Sequence, residues 1–275
     1  MRRVIVRRKV SLDSTLIDLC LSVFDWAKFR RTKGALKLHL VLDHDGYLPC
    51  FGVITEGRVH DVKVAHQIAF APGTVVVDDR GYNDYRLFAR WSDEGVFFVT
   101  RMKDNAQFEV LEEREPPRTR GILCDQTIRL TGVGAQEKCP HLLRRVEALR
   151  PDSGEILVFL TNHHQLGAST IAAIYKDRWQ IELFFKALKQ NLKIKTFVGT
   201  TPNAVKIQIW TALISMLLVR YLQPSSRFDW SLANLVALMC MNLFTHRDLM
   251  AWLNQPFATP PDPQDIPPQA TLAFD

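Results

Sequence analysis

Leucine occupies every second position of residues 36–42, LKLHLVL, and a period of two predicts a half-buried β-strand. A run at 8–12 predicts a strand before it. After the leucines, Asp45 and Gly46 make a hairpin turn pair leading to a third strand over 51–55. Pro49 assigns that strand to a sheet edge, because proline lacks the N–H that a central ladder needs. Asp61 is placed to cap a helix through Ala69, and the β-branched run at 74–77 predicts a buried strand ending at Asp78, Asp79 and Gly81. A helix over 83–93 then precedes a fifth strand at 96–100. A meander followed by alternating helix and strand specifies an α/β protein, a mixed sheet flanked by helices.

From residue 107 the pattern changes, with strand-like pieces at 108–111, 122–130, 142–149 and 155–160 and a connection carrying Pro116 and Pro117. These predict a β-rich insertion over 107–165 between a first core segment, 1–106, and a second, 166–222. Helices follow at 203–222, 232–244 and 247–253, the last two forming a helical C-terminal part at 223–255. The proline-rich stretch 256–275 is expected to be a disordered tail.

The helical period is clearest in YKDRWQIELFFKALK, residues 175–189. At roughly 100° per residue, Tyr175, Arg178, Glu182 and Lys189 fall within an arc of about 60°, beside an apolar sector of Ile174, Ile181, Phe184, Phe185 and Leu188. One carboxylate flanked by cations suits a hard metal ion meeting a phosphodiester. Taken alone, the same residues read more readily as a solvated Arg178–Glu182 ion pair four positions apart.

Composition narrows the class. With 275 residues, 47% of them apolar, the chain can bury a large core and is not disordered. The formal net charge of +6, with basic clusters at Arg2, Arg3, Arg7, Arg8 and Lys9 and at Lys28, Arg30, Arg31, Lys33 and Lys37, is compatible with a polyanionic partner, most simply nucleic acid. Five scattered cysteines without a CxxC spacing argue for reduced thiols rather than disulfides or a zinc site. The basic N-terminus has no apolar core of a secretion signal, so a cytoplasmic location is expected. The apolar stretch 207–219, bracketed by Lys206 and Arg220, is shorter than the about 20 residues a bilayer demands and is expected to be a buried helix.

A divalent cation at Glu182 needs further carboxylates. Asp13 follows the first strand and Asp79 closes the fourth, both at expected strand ends where loops build sites. Asp13 reads equally as a helix N-cap before LIDL, and Asp78 and Asp79, on opposite faces of a continuing strand, cannot both face one site. Asp43 and Asp45 are expected to be turn residues, and His163 and His164 loop residues.

The spacing Y, two, R, three, E, six, K at Tyr175, Arg178, Glu182 and Lys189 resembles the signature of the insertion-sequence-four family of DDE transposases. Asp79, Arg80, Gly81 and Tyr82 resemble its second motif, and Asp13 in SLDST matches its first acid. LKLHLVLDHDGYLP, VHDVKVA and FFVTRMK resemble its connecting segments, so the likeness covers residues 10–222. It implies a ribonuclease-H-like core interrupted by the β insertion, with Asp13, Asp79 and Glu182 holding two magnesium ions, or manganese in their place, about 3.5 to 4 Å apart. It also implies metal-dependent cleavage at element ends and strand transfer. Tyr175, Arg178 and Lys189 would contact terminal phosphates, with Lys186 and Trp179 in the same DNA-binding set. The implied partner is double-stranded DNA, at transposon ends and target, bound by a homodimer in a synaptic complex at the nucleoid. Family members usually carry a separate N-terminal region, whereas Asp13 has twelve residues ahead of it. The rival expectations are therefore a truncated, non-catalytic DNA-binding remnant that inhibits intact transposase, and a nuclease of the same fold that cuts without strand transfer.

Overall fold

The structure is a computed structural model that describes residues 8–30, 33–116, 121–191 and 197–258. Along the chain run β1 (Arg8–Leu19), β2 (Lys28–Arg30), β3 (Lys33–Asp43), β4 (Pro49–Glu56), α1 (Asp61–Ala65), β5 (Thr74–Val77), α2 (Tyr85–Asp93) and β6 (Phe97–Arg101). Then come β7 (Phe108–Glu113), β8 (Ile122–Leu130), α3 (Ala135–Lys138), β9 (Leu143–Leu149) and β10 (Ile156–Thr161). Helices α4 (Ala168–Asp177), α5 (Trp179–Asn191), α6 (Pro202–Ser225), α7 (Leu232–Met241) and α8 (Leu249–Asn254) complete it. The chain divides into two compact units, Met1–Trp210 and Thr211–Asp275. The expected tail lies outside the described residues from position 259 onward.

The ten strands of the described residues form one mixed sheet in the first unit, in the order β2-β3-β1-β5-β6-β10-β9-β8-β7, with β4 also paired to β3. β1 is antiparallel to β3 and parallel to β5, which is parallel to β6. The strands expected as an insertion continue this sheet, because β10 pairs antiparallel with β6. β4 pairs only with β3 among the described residues, the edge position that Pro49 demands.

The sheet is buried on both faces, and β5 shows why a run of valines was needed. Val76 packs with Leu12, Phe98 and the α2 residues Leu87, Phe88 and Trp91 on one face. Val75 and Val77 pack with Val99 and the α4 residues Ile171 and Ile174 on the other. A strand covered on both sides reads as continuous hydrophobicity rather than alternation. Helix α2 has a defined start and stop. Asp84 accepts a hydrogen bond from the Leu87 amide at 2.9 Å, and Gly95, at φ 69°, closes a Schellman turn through Val96 N to Trp91 O (2.8 Å) and Gly95 N to Ser92 O (3.2 Å). That turn delivers the chain directly into β6, where Phe98 stacks on Phe88 at 4.2 Å.

Three elements differ from the sequence reading. β1 runs to Leu19, so Asp13 lies inside a strand and LIDL is not a helix. Ten residue pairs with β3 override the turn and cap preferences of Asp13, Ser14 and Asp18. The α1 helix ends at Ala65 and is capped by His60, whose Nδ1 accepts from Val62 N (3.3 Å). Helix α6 spans 24 residues, beyond both Lys206 and Arg220, since a single charge does not end a helix. By length and composition it could cross a membrane, and 33% of its most apolar window is buried; within the stretch 207–219, expected to be buried, Ile209, Leu213 and Met216 are buried but Ile207, Trp210, Ile214 and Leu218 are exposed.

In the second unit, Trp230 anchors the C-terminal helices. Its indole N–H donates to Leu253 O at 2.8 Å and its ring lies 5.4 Å from that of Trp252.

Candidate active site

The site grows from the different lengths of two parallel strands. β5 ends at Val77, opposite Ser11, while β1 continues. Beyond that point the β5-facing edge of β1 is free of the ladder. Extending the register by two residues sets Asp13 beside Asp79, which opens the following 3-10 turn, Arg80–Tyr82. Asp79 Oδ1 accepts the Gly81 amide at 2.7 Å, and a Cβ at position 81 would stand 2.9 Å from that oxygen. A larger residue would push that carboxylate oxygen aside, so glycine lets Asp79 keep this geometry. Tyr82, the aromatic of the motif, is 1% exposed and packs in the core.

Glu182 reaches the same place from the other face. α4 and α5 are separated by Arg178, whose backbone stays α-helical at φ −54°, ψ −31°. The hydrogen bonds there tighten to three-residue spacing, Arg178 N to Tyr175 O and Ile181 N to Arg178 O, both 3.1 Å, so the expected single stripe is locally overwound. Arg178 bridges two acids. Its Nη1 donates to Asp13 Oδ2 at 3.2 Å and its Nη2 to Glu182 Oε1 at 2.5 Å. The guanidinium carbon lies 5.6 Å from the Tyr175 ring centre, a cation–π distance.

Asp13 has its pKa raised to about 7, chiefly by burial, with Asp79 and Glu182 adding like-charge repulsion against the lowering effects of the Ser14 amide and Arg178. The Ser14 amide donates to Asp13 Oδ1 at 2.7 Å. Asp78 is fully buried, and burial pushes its pKa well above the ordinary carboxylate value. By hydrogen-bond geometry neither of its oxygens is partnered and the Thr100 hydroxyl donates to the Asp79 carbonyl oxygen at 3.1 Å, while the nearness of that hydroxyl offsets only part of the burial of Asp78. Asp79 is the partly exposed member of the pair.

Asp13, Glu182, Lys186 and Lys189 line one groove of about 480 Å³, together with Ser14 and Phe185. Tyr175 and Trp179 are not among its lining residues. Tyr175 is 9% exposed and sits 4.9 Å from Phe159, whereas Trp179 is 55% exposed. One further residue, expected only as a helix cap, acts on the site. Asp61 accepts Ser14 Oγ at 2.6 Å, pairs with Lys37 at 3.2 Å and lies 3.5 Å from the Nδ1 of His39, an imidazole that burial keeps neutral. Its position in VHDVKVA signalled a helix cap, and only the fold shows that it braces the residue after Asp13.

Among the described residues, no set of three or more His, Cys, Asp or Glu side chains is drawn together tightly enough to hold a metal ion. The donor chemistry nevertheless fits one. Two carboxylates already converge on a cation, the Arg178 guanidinium, and a hard divalent ion takes carboxylate oxygens.

Fold and groove together define a mixed α/β protein with an acidic site at the carboxyl end of parallel strands, bordered by lysines. A family model described as the transposase DDE domain matches residues 6–218. The protein y4zB of Sinorhizobium fredii, named as a transposase, is 34% identical over 269 residues, 96% of this chain and 75% of that one. The Geobacillus stearothermophilus protein named as the transposase for insertion sequence element IS5377 is 32% identical over 78% of this chain and 57% of its own length. InsG of Escherichia coli, transposase for insertion sequence element IS4, is 26% identical over 58% of this chain and 37% of its own. The chain thus spans three quarters of the first relative and smaller shares of the others. A solved piggyBac transposase synaptic complex with hairpin DNA aligns at a TM-score of 0.48 and 12% identity, over 93% of this chain and 55% of that one. The chain belongs to the DDE transposase family, of the insertion-sequence-four kind.

Proposed function

We propose that this chain is the catalytic core of a cut-and-paste DNA transposase, with a ribonuclease-H-like fold, that cleaves phosphodiesters at element ends and joins the freed end to target DNA. The observation that carries the reading is the groove in which Asp13, Glu182, Lys186 and Lys189 meet from segments some 170 residues apart. The order β4-β3-β1-β5-β6 and its strand directions support the fold.

Asp13, Asp79 and Glu182 would hold two magnesium ions, or manganese in their place. Bound there, the ions supply Lewis-acid stabilisation of the attacking and leaving oxygens of an in-line displacement. The protein's own part is positioning and charge. Arg178 holds the two acids together until a cation takes its place, and its guanidinium is then free to pair with a phosphate. Tyr175 steadies that guanidinium through its ring. Lys186 and Lys189 neutralise phosphates along the groove and so set the register of the strand without reading sequence. Trp179 is open to stack on an unpaired base. Two copies acting on paired ends complete the proposal.

Purified protein with magnesium or manganese is expected to nick or join a DNA end. Glu182→Ala is expected to abolish that while DNA binding persists. Binding without cleavage in either metal would overturn the catalytic reading in favour of a DNA-binding module.

A further inference from the structure

A second concave site lies on the same edge of the sheet, and the chemistry above does not use it. Extending the β5–β6 register two residues beyond Val77 and Val99 puts Arg101 beside Asp79. The chain just past both positions encloses a pocket of about 290 Å³, lined by Asn83, Tyr85, Met102, Lys103, Asn105 and Lys138, among others. An ion pair between Arg80 and Asp104 (2.9 Å) ties its two walls together and fixes the pocket to the Asp79 turn.

Its polar groups call for a ligand. Among the described residues, neither Lys103 nor Lys138 pairs with a carboxylate; Lys103 Nζ donates to the Asn83 carbonyl oxygen at 3.2 Å. The acid on the wall, Asp84, is committed to capping α2 and to His66 Nε2 at 3.3 Å. Asn83 donates its side-chain amide to Arg101 O at 2.8 Å, while its Oδ1 is buried without a partner. Two ammonium groups fit phosphate oxygens, so the pocket matches the phosphates of a polyanion. A DNA strand supplies them.

We infer that this pocket is a second strand-backbone subsite, which holds nucleotides on the side of the scissile phosphate away from Lys186 and Lys189. The inference rests on the proposed DNA chemistry for its placement. Neighbouring strands lie about 4.8 Å apart, so the pocket is on the order of 10 Å from the acids. That spans two to four nucleotides at about 3.4 Å of rise each.

The test is the salt dependence of DNA binding by wild type and by Lys103→Gln/Lys138→Gln, with thermal melting as a check on folding. A subsite is expected to show as a slope of log K against log salt reduced by about 1 to 2, and as binding about tenfold weaker near 0.1 M salt. Removing Lys186 and Lys189 as well should lower the slope further. An unchanged slope in a folded variant overturns the inference. So does saturable binding of a deoxynucleoside monophosphate that is lost in the variant while the DNA slope stays, which assigns the pocket to free nucleotide. No cleavage is needed for this measurement, so loss of the catalytic reading leaves the subsite standing, and the reverse also holds.

Discussion

Gly81 is where residue identity and site geometry are most tightly bound. Its amide holds Asp79 Oδ1 at 2.7 Å, and an added Cβ would press on that oxygen from 2.9 Å. Gly81→Ala is expected to shift the carboxylate and lower cleavage about tenfold to a hundredfold. The position is exposed, so thermal stability should barely change; full activity in that variant would show that the turn does not place Asp79. Asp13 makes a prediction about pH. Its folded pKa of about 7 lies above the ordinary 3.8, so between these values the folded chain holds a proton that the unfolded chain has released. Stability from this group is therefore lost as pH rises through that window. Asp13→Asn lacks the titration, and its melting temperature relative to wild type should climb from pH 4 to pH 7 and then level. A constant difference would mean that Asp13 titrates normally.

At the scale of elements, the platform for Glu182 depends on a buried ion pair far from it. Arg144 on β9 makes two 2.7 Å hydrogen bonds to Asp125 on β8, with side chains 3% and 7% exposed, and also donates to His163 O (3.2 Å) and Leu166 O (2.5 Å) in the loop that enters α4. Arg144→Ala would strand a buried carboxylate and free that loop, at a cost of about 3–5 kcal/mol, readable as a lower urea midpoint. Replacing both partners by apolar residues should cost less. The strands at 36–42 and 74–77 were legible because each carries a pattern that burial alone explains. The extension of β1 through Asp13 was not, since its polar residues have cap and turn preferences that only pairing with β3 overrides. The proposed acids Asp13, Asp79 and Glu182 were singled out through the family resemblance, and the fold sets Asp13 and Glu182 on one groove. The Arg178 bridge and the Asp61 brace were not, because both depend on residues brought together from separate segments of the chain.

For the whole molecule, charge sets the long-range behaviour. A net charge of +6 and a lysine-bordered groove predict DNA binding that weakens steeply with salt as counterions are released; salt-insensitive binding would deny phosphate contacts. The central claim is that Asp13, Asp79 and Glu182 form one cation site. Its most direct test is manganese titration of the protein–DNA complex followed by electron paramagnetic resonance. The account predicts saturable binding of about two ions per chain beyond the DNA blank, weakened about tenfold or more in each of Asp13→Asn, Asp79→Asn and Glu182→Gln. Manganese binding unchanged in all three variants would contradict it.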